Sequence, residues 1–203
     1  VPAIPTSGAA AGDYDNDGDI DLFIVWGDDG PNRLYRNDGD LKFTDVAEDA
    51  GVAFLGPDGS TSFQVGPVFA DVDGDGDLDL FLRGLSVRSL LLRNNNDGTF
   101  SDITDDTGLL FSRPYGMSTA FGDYDLDGDL DLVTTHWASP QDRNNPGDTE
   151  HLWRNDTEGE DIFFTSVSEL AGIAPSIAQL QDPNGLEYEA DRTFTPTFTR
   201  IND

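Results

Sequence analysis

Short apolar and β-branched runs bounded by Gly and Asp recur along the chain: Asp21-Leu-Phe-Ile-Val-Trp, Leu78-Asp-Leu-Phe-Leu and Leu130-Asp-Leu-Val-Thr-Thr. They have the length and residue preference of β-strands. Arg33-Leu-Tyr-Arg and Lys42-Phe-Thr-Asp-Val alternate with the period of two of half-buried strands. Asn37-Asp-Gly, Asn96-Asp-Gly and Thr157-Glu-Gly separate such runs with turn chemistry, Gly supplying a positive φ. Helix-like patterning is confined to Val46-Ala-Glu-Asp-Ala and Val167-Ser-Glu-Leu-Ala, about one turn each.

The runs are parts of a repeat. Ala11-Gly-Asp-Tyr-Asp-Asn-Asp-Gly-Asp-Ile-Asp-Leu-Phe aligns with Ala70-Asp-Val-Asp-Gly-Asp-Gly-Asp-Leu-Asp-Leu-Phe and with Phe121-Gly-Asp-Tyr-Asp-Leu-Asp-Gly-Asp-Leu-Asp-Leu-Val. The first loop aspartates are Asp13, Asp71 and Asp123, 58 and 52 residues apart. Leu34-Tyr-Arg-Asn, Leu91-Leu-Arg-Asn and Leu152-Trp-Arg-Asn follow in turn. Then come Phe43-Thr-Asp-Val, Phe100-Ser-Asp-Ile and Phe164-Thr-Ser-Val, and the units close on Gly51, Gly108 and Gly172. With the strand that enters each Asp-rich loop, every unit has four strands. Four-stranded units in tandem predict an all-β chain of β-propeller blades. The units span about residues 6–52, 62–109 and 115–173, with the start of a fourth at 192–203.

The Asp-rich loops carry the candidate chemistry. Positions 1, 3, 5 and 9 are Asp13, Asp15, Asp17 and Asp21 in the first loop, Asp71, Asp73, Asp75 and Asp79 in the second, and Asp123, Asp125, Asp127 and Asp131 in the third. Gly18, Gly76 and Gly128 hold position 6. Crowded carboxylates repel by on the order of several kcal/mol per close pair at an effective dielectric near 20. A hard dication removes that cost, and Ca²⁺ accepts six to eight oxygens in flexible geometry. The spacing matches the first half of an EF-hand. The second half fails, because position 12 is Ile24, Leu82 or Thr134 rather than Glu, and a strand follows. Position 7 (Asp19, Asp77, Asp129) is expected to offer its backbone carbonyl and turn its side chain to water. Mg²⁺ fits less well, since it demands a tighter octahedron and keeps its waters. The competing reading is a merely solvated acidic turn; three such loops in register speak against it.

Charge sharpens the picture. The 203 residues include 40 acidic and 11 basic side chains, for a formal net charge of −29 and a pI near 4.1. No basic patch is available for DNA, RNA or anionic lipid, which leaves cations as the partners. Hydrophobic residues make up 36% of the chain and Phe occurs 13 times, which argues for a packed core rather than disorder. The absence of cysteine excludes disulfides, thiolate metal sites and thiol nucleophiles. No apolar run approaches the ~20 residues of a membrane helix, so no membrane insertion is expected. No signal peptide is visible, and a start at Val1 reads as a processed or excised piece.

The Asp-rich motif, followed by Leu-Tyr-Arg-Asn and by Phe-Thr-Asp-Val with its closing Ala-Gly-Val, resembles FG-GAP/VCBS repeats. It is most similar to the cartilage-acidic-protein (ASPIC/UnbV) branch, and the likeness covers nearly the whole chain. The resemblance implies an integrin-α-like propeller, usually seven-bladed, exported or displayed at the cell surface, with Ca²⁺ in the loops between the first two strands of a blade. Carried over residue by residue, the ligands are the twelve aspartates at positions 1, 3, 5 and 9. Two departures stand out. Ser166 replaces the Asp of Asp45 and Asp102, and Ala9 to Ala11 replace larger residues, which suggests a looser first blade. Phe198-Thr-Arg-Ile-Asn-Asp aligns with Phe69-Ala-Asp-Val-Asp-Gly, so a fourth calcium loop is expected to be cut off there. Three blades do not close a ring. Two inter-blade faces would stand open, carrying residues such as Phe69, Phe121 and Leu132. They would be covered by further blades of the same protein or by self-association.

Other residues weigh less. Arg36, Arg93 and Arg154 share one repeat position and are read as pairing with nearby aspartates rather than as an anion-binding ring. Trp26 and His136 both stand five residues past the last loop aspartate, and with Trp137 they form a candidate ligand surface. Trp153 and Tyr35 are further stacking candidates, with inter-blade packing as the simpler role. His136 and His151 have no nucleophile or base at a recognisable spacing, so no catalytic residue is assigned. Asn155-Asp-Thr is a lone glycosylation sequon. The insertions at 138–149 and 174–195 are candidate recognition loops. The reading is a calcium-binding extracellular scaffold for adhesion or for a protein or glycan ligand. The alternatives are part of a carbohydrate lyase or dehydratase, or a lectin.

Overall fold

A computed structural model describes residues 8–27, 30–54, 64–85, 87–109, 116–136, 151–159 and 161–173. Among the described residues twelve strands form three four-stranded sheets, all antiparallel and each in sequence order. Blade 1 holds β1 (Gly8–Gly12), β2 (Asp21–Val25), β3 (Arg33–Asn37) and β4 (Phe43–Asp45). Blade 2 holds β5 (Gln64–Ala70), β6 (Asp79–Gly84), β7 (Leu90–Asn94) and β8 (Phe100–Asp102). Blade 3 holds β9 (Gly116–Gly122), β10 (Asp131–His136), β11 (His151–Asn155) and β12 (Phe164–Ser166). The predicted four-stranded blades are therefore present. The insertions at 138–149 and 174–195 and the fourth repeat at 192–203 lie outside the described residues.

The helix-like stretches form single turns. Ala50 N–H donates to the Val46 carbonyl and Ala171 N–H to the Val167 carbonyl, both at 2.8 Å. Gly51, Gly108 and Gly172 close the units at φ of 76°, 72° and 74°, a left-handed conformation that glycine adopts without penalty.

The core lies between blades. Strands alternate faces, so each central strand serves two neighbours. Leu80, Leu82, Leu90, Leu92 and Phe100 of blade 2 pack with Tyr14, Phe23, Val25 and Leu34 of blade 1. On the other face, Phe81 and Leu91 join Leu132, Trp153 and Phe164 of blade 3. Every residue of β6 is buried, as a strand covered on both faces requires. Backbone bonds also cross the interfaces: Phe100 N–H donates to the Ala50 carbonyl at 3.0 Å, and Phe164 N–H to the Thr107 carbonyl at 2.8 Å.

Two expectations are corrected here. Phe69, Phe121 and Leu132 do not mark open faces. Leu132 is fully buried between blades 2 and 3, Phe121 meets Phe81 edge-on at 6.1 Å, and Phe69 packs against the core between blades 1 and 2. Exposure instead falls on equivalent residues at the two ends of the arc. At the first position of the fourth strand, Phe43 is 43% exposed, Phe100 9% and Phe164 1%. At loop position 2, Tyr14 is 3% exposed and Tyr124 39%. The first blade is not loose either: β1 pairs with β2 over five consecutive residues. The glycines that flank its alanines serve close approach, since a Cβ on Gly8 would meet Pro67 at 2.5 Å and one on Gly12 would meet Leu78 at 2.8 Å.

Candidate metal centres

Each Asp-rich loop joins the first strand of its blade to the second. Its backbone enters the left-handed region twice: at Asn16, Gly74 and Leu126 (position 4), and at Gly18, Gly76 and Gly128 (position 6). Nothing lies within 4 Å of a Cβ built on the position 6 glycines, so the backbone angle rather than space demands glycine there.

The carboxylates divide the work. The position 1 carboxylates cap the turn by accepting the position 6 N–H: Gly18 to Asp13 at 2.9 Å, Gly76 to Asp71 at 3.1 Å and Gly128 to Asp123 at 3.2 Å. The position 5 carboxylates accept the position 7 N–H: Asp19 to Asp17 at 2.9 Å, Asp77 to Asp75 at 2.8 Å and Asp129 to Asp127 at 3.0 Å. In each loop three carboxylates also converge. Asp13, Asp15 and Asp17 each place one oxygen within 4.8 Å of the others; so do Asp71, Asp73 and Asp79, and Asp123, Asp125 and Asp127.

The position 9 aspartates are staples, a role that the sequence reading did not assign. Asp21 accepts Tyr14 N–H on one oxygen (3.1 Å) and Asn37 N–H on the other (2.8 Å). Asp79 does the same with Val72 (3.1 Å) and Asn94 (2.9 Å), and Asp131 with Tyr124 and Asn155 (both 2.9 Å). All three are buried. Asp79 also belongs to its triad, whereas Asp21 and Asp131 lie outside theirs. Position 7 is uneven. Asp19 and Asp129 are exposed, but Asp77 is buried and accepts a 2.6 Å hydrogen bond from the Asn16 amide of blade 1.

The residues fit a hard cation. Asp15, Asp71 and Asp123 each have one carboxylate oxygen, Oδ1, that is shielded from solvent and accepts no hydrogen bond. A desolvated anionic oxygen without a donor is costly. One occurs in each loop, and each belongs to a triad. Protonation is the alternative relief, and the electrostatics push that way. Burial, and then the neighbouring Asp17 charge, raise the Asp15 carboxyl above the usual range; burial and Asp75 do the same for Asp73. Burial pushes the Asp79 carboxyl up to about 7 against the pull of its two amide donors. Asp21 and Asp131 rise for the same reason, burial outweighing their amide donors.

The Asn that ends each Leu-x-Arg-Asn motif was also missed. Its N–H holds the position 9 aspartate, and its Oδ1 accepts the N–H two residues on: Gly39, Asn96 and Thr157. Its amide donates to the position 8 carbonyl of its own loop, Ile20, Leu78 or Leu130. Asn94 and Asn155 donate in addition to the position 2 carbonyl of the preceding blade, Tyr14 at 2.7 Å and Val72 at 2.8 Å. The recurrence of Asn at one repeat position was the available signal.

The arginines of that motif pair within their own blade: Arg36 with Asp38 at 2.9 Å and Arg154 with Asp156 at 2.7 Å. Asn95 stands at the matching place in blade 2, so Arg93 lacks that ion pair. Of the candidate ligand surface, only Trp26 is described with its side chain. Trp26 is exposed after β2, His136 ends β10 opposite Gly116, and Trp137 lies outside the described residues. A shallow groove of about 500 Å³ beside Gly108 is lined by His151, Trp153, Phe163 and Ser166.

Comparison with known proteins agrees with this geometry. The chain is 31% identical to mouse cartilage acidic protein 1 over 147 residues, which is 65% of this chain and 21% of that protein. It is 29% identical to the human protein of the same name over 124 residues, 57% of this chain and 18% of that protein. It thus spans about a fifth of the length of these curated relatives. The FG-GAP-like repeat profile matches residues 13–82 and 71–134, two overlapping stretches that together cover more than half of the chain and take in all three Asp-rich loops. The chain belongs to the FG-GAP-like repeat family.

Proposed function

We propose that this chain is a calcium-stabilised propeller segment of an exported protein, acting as a scaffold for adhesion or for binding a protein or glycan. The observation that carries the cation is the shielded, unpartnered carboxylate oxygen in each of three equivalent loops. Asp13, Asp15 and Asp17, then Asp71, Asp73 and Asp79, then Asp123, Asp125 and Asp127 would hold it. Bound there, Ca²⁺ supplies positive charge to anionic oxygens that otherwise repel one another. Asp75, Asp21 and Asp131 complete the motif positions, and position 7 offers a backbone carbonyl. The chain's own part is to cap each turn through position 1 and to fix the loop to the third strand through position 9. The cation's role is structural, tying the first two strands of a blade together. Kinship with proteins named for cartilage supports an extracellular setting.

The test is a melt in millimolar Ca²⁺ against a melt in chelator. A ligand that binds only the folded state adds about 2.7 kcal/mol per site at a hundredfold excess over Kd. The melting temperature should rise markedly with calcium; superimposable curves sink the structural role. A glycan-binding reading has the aromatic groove beside His151 and Trp153 on its side.

A further inference from the structure

The three loops are joined by one line of hydrogen bonds that crosses both inter-blade interfaces. It starts at Asp21, which holds Tyr14 N–H. The Tyr14 carbonyl accepts the Asn94 amide, and Asn94 N–H donates to Asp79. Asp79 holds Val72 N–H on its other oxygen. The Val72 carbonyl accepts the Asn155 amide, and Asn155 N–H donates to Asp131, which holds Tyr124 N–H. The central members Asp79, Asn94 and Asn155 are buried, where such chains are strongest.

We propose that Asn94 and Asn155 are positioning residues that couple the loops, so that cation loading of one raises the affinity of the next. This rests on the calcium reading above. Tyr14 lies between two members of the first triad, Asp13 and Asp15. Fixing those two carboxylates fixes the intervening peptide, and with it the carbonyl that receives the Asn94 amide. Asn94 in turn orients Asp79, a member of the second triad. A second tie, from the Asn16 amide to Asp77, joins the same two loops at 2.6 Å. Val72 lies between Asp71 and Asp73 and passes the constraint on through Asn155, but the line ends on Asp131, outside the third triad. Loops 1 and 2 are therefore coupled more tightly than loops 2 and 3.

Asn37 is the built-in control. It makes the same contacts within its blade, but among the described residues its amide reaches only Ile20 of its own loop.

The experiment is calorimetric titration of the whole chain with Ca²⁺, for the parent and for Asn94→Ala, Asn155→Ala and Asn37→Ala. The parent should bind with a Hill coefficient above one. Asn94→Ala should lower it most and Asn155→Ala less, while Asn37→Ala leaves it unchanged. Should the buried Asn variants not fold, Asp17→Asn serves instead. It alters an exposed carboxylate in loop 1 and should weaken the remaining sites by about fivefold or more, within the usual range of coupling between sites. Uptake of three ions with a coefficient of one or below overturns the coupling alone. So do unchanged affinities at loops 2 and 3 in Asp17→Asn, or equal effects of Asn37→Ala and Asn94→Ala. A folded parent that takes up no Ca²⁺ overturns the calcium reading with it.

Discussion

The repeat supplies three copies of one phenylalanine in three environments, and truncating each to Ala measures how stability is distributed along the arc. Phe164 is 1% exposed among Val72, Leu109, Leu132 and Trp153. Removing a buried aromatic ring forfeits its transfer energy and leaves a cavity that the surrounding strands only partly refill, about 3–5 kcal/mol in all. Phe100, 9% exposed and with its ring 5.9 Å from that of Tyr14, should fall at the lower end of that range. Phe43 is 43% exposed, so no closed cavity forms and only part of the transfer energy is lost, about 1 kcal/mol. The assay is urea unfolding at fixed calcium, followed by tryptophan fluorescence and circular dichroism together, with stability taken from midpoint and slope. The expected order of loss is Phe164→Ala, then Phe100→Ala, then Phe43→Ala far behind. Equal losses for Phe43→Ala and Phe164→Ala would refute the reasoning, because the leading face of blade 1 would then be as well covered as the internal interfaces. A loss below about 1 kcal/mol for Phe164→Ala would refute it differently, by showing that packing between blades does not carry stability.

Leu126 sits at φ 66° at position 4 of the third loop, where the other loops have Asn16 and Gly74. Leu126→Gly should relieve the strain and stabilise the chain by about 1 kcal/mol, read as a rise in urea midpoint; a fall would show that the leucine side chain holds the loop. Stability should also depend on pH with a sign that calcium reverses. Asp79 has a folded pKa of about 7, above its unfolded value, so the native state binds more protons across that window. Its contribution is full below the unfolded value and lost as pH rises through 7, so the cation-free chain should melt higher at pH 5 than at pH 8. In saturating Ca²⁺ protons compete with the cation, and the order should invert; a flat profile in chelator refutes the assignment.

The blades were legible in the sequence because each level of pattern agreed with the next. Strand alternation, the turn glycines and the loop aspartates all recur in register, and the twelve strands fall where those signals place them. What was not legible depends on contacts between blades. Period-two alternation separates the two faces of β6, but it does not say which neighbour each face meets. Phe69, Phe121 and Leu132 were accordingly placed on open faces although they fill internal ones. The same limit applies inside the loops. Asp77 reads like Asp19 and Asp129, yet it is buried and accepts a hydrogen bond from Asn16, 61 residues upstream.

The position 9 aspartates show the limit most sharply. By spacing they are ligands like their neighbours. By structure each spends both oxygens on backbone amides, one at position 2 of its own loop and one at the end of the third strand. The Asn at the end of the third strand, given no structural role by the sequence, satisfies a carbonyl of its own loop and, in blades 2 and 3, one of the preceding blade. Carbonyls at a buried interface must find donors, and water is excluded there. An Asn supplies two N–H groups and an acceptor in one short side chain, so it closes that account between a loop and the next blade. The Asp–Asn pair thus serves the fold whether or not a cation is bound, whereas the shielded Oδ1 atoms of Asp15, Asp71 and Asp123, which accept no hydrogen bond, are what the proposed cation would satisfy.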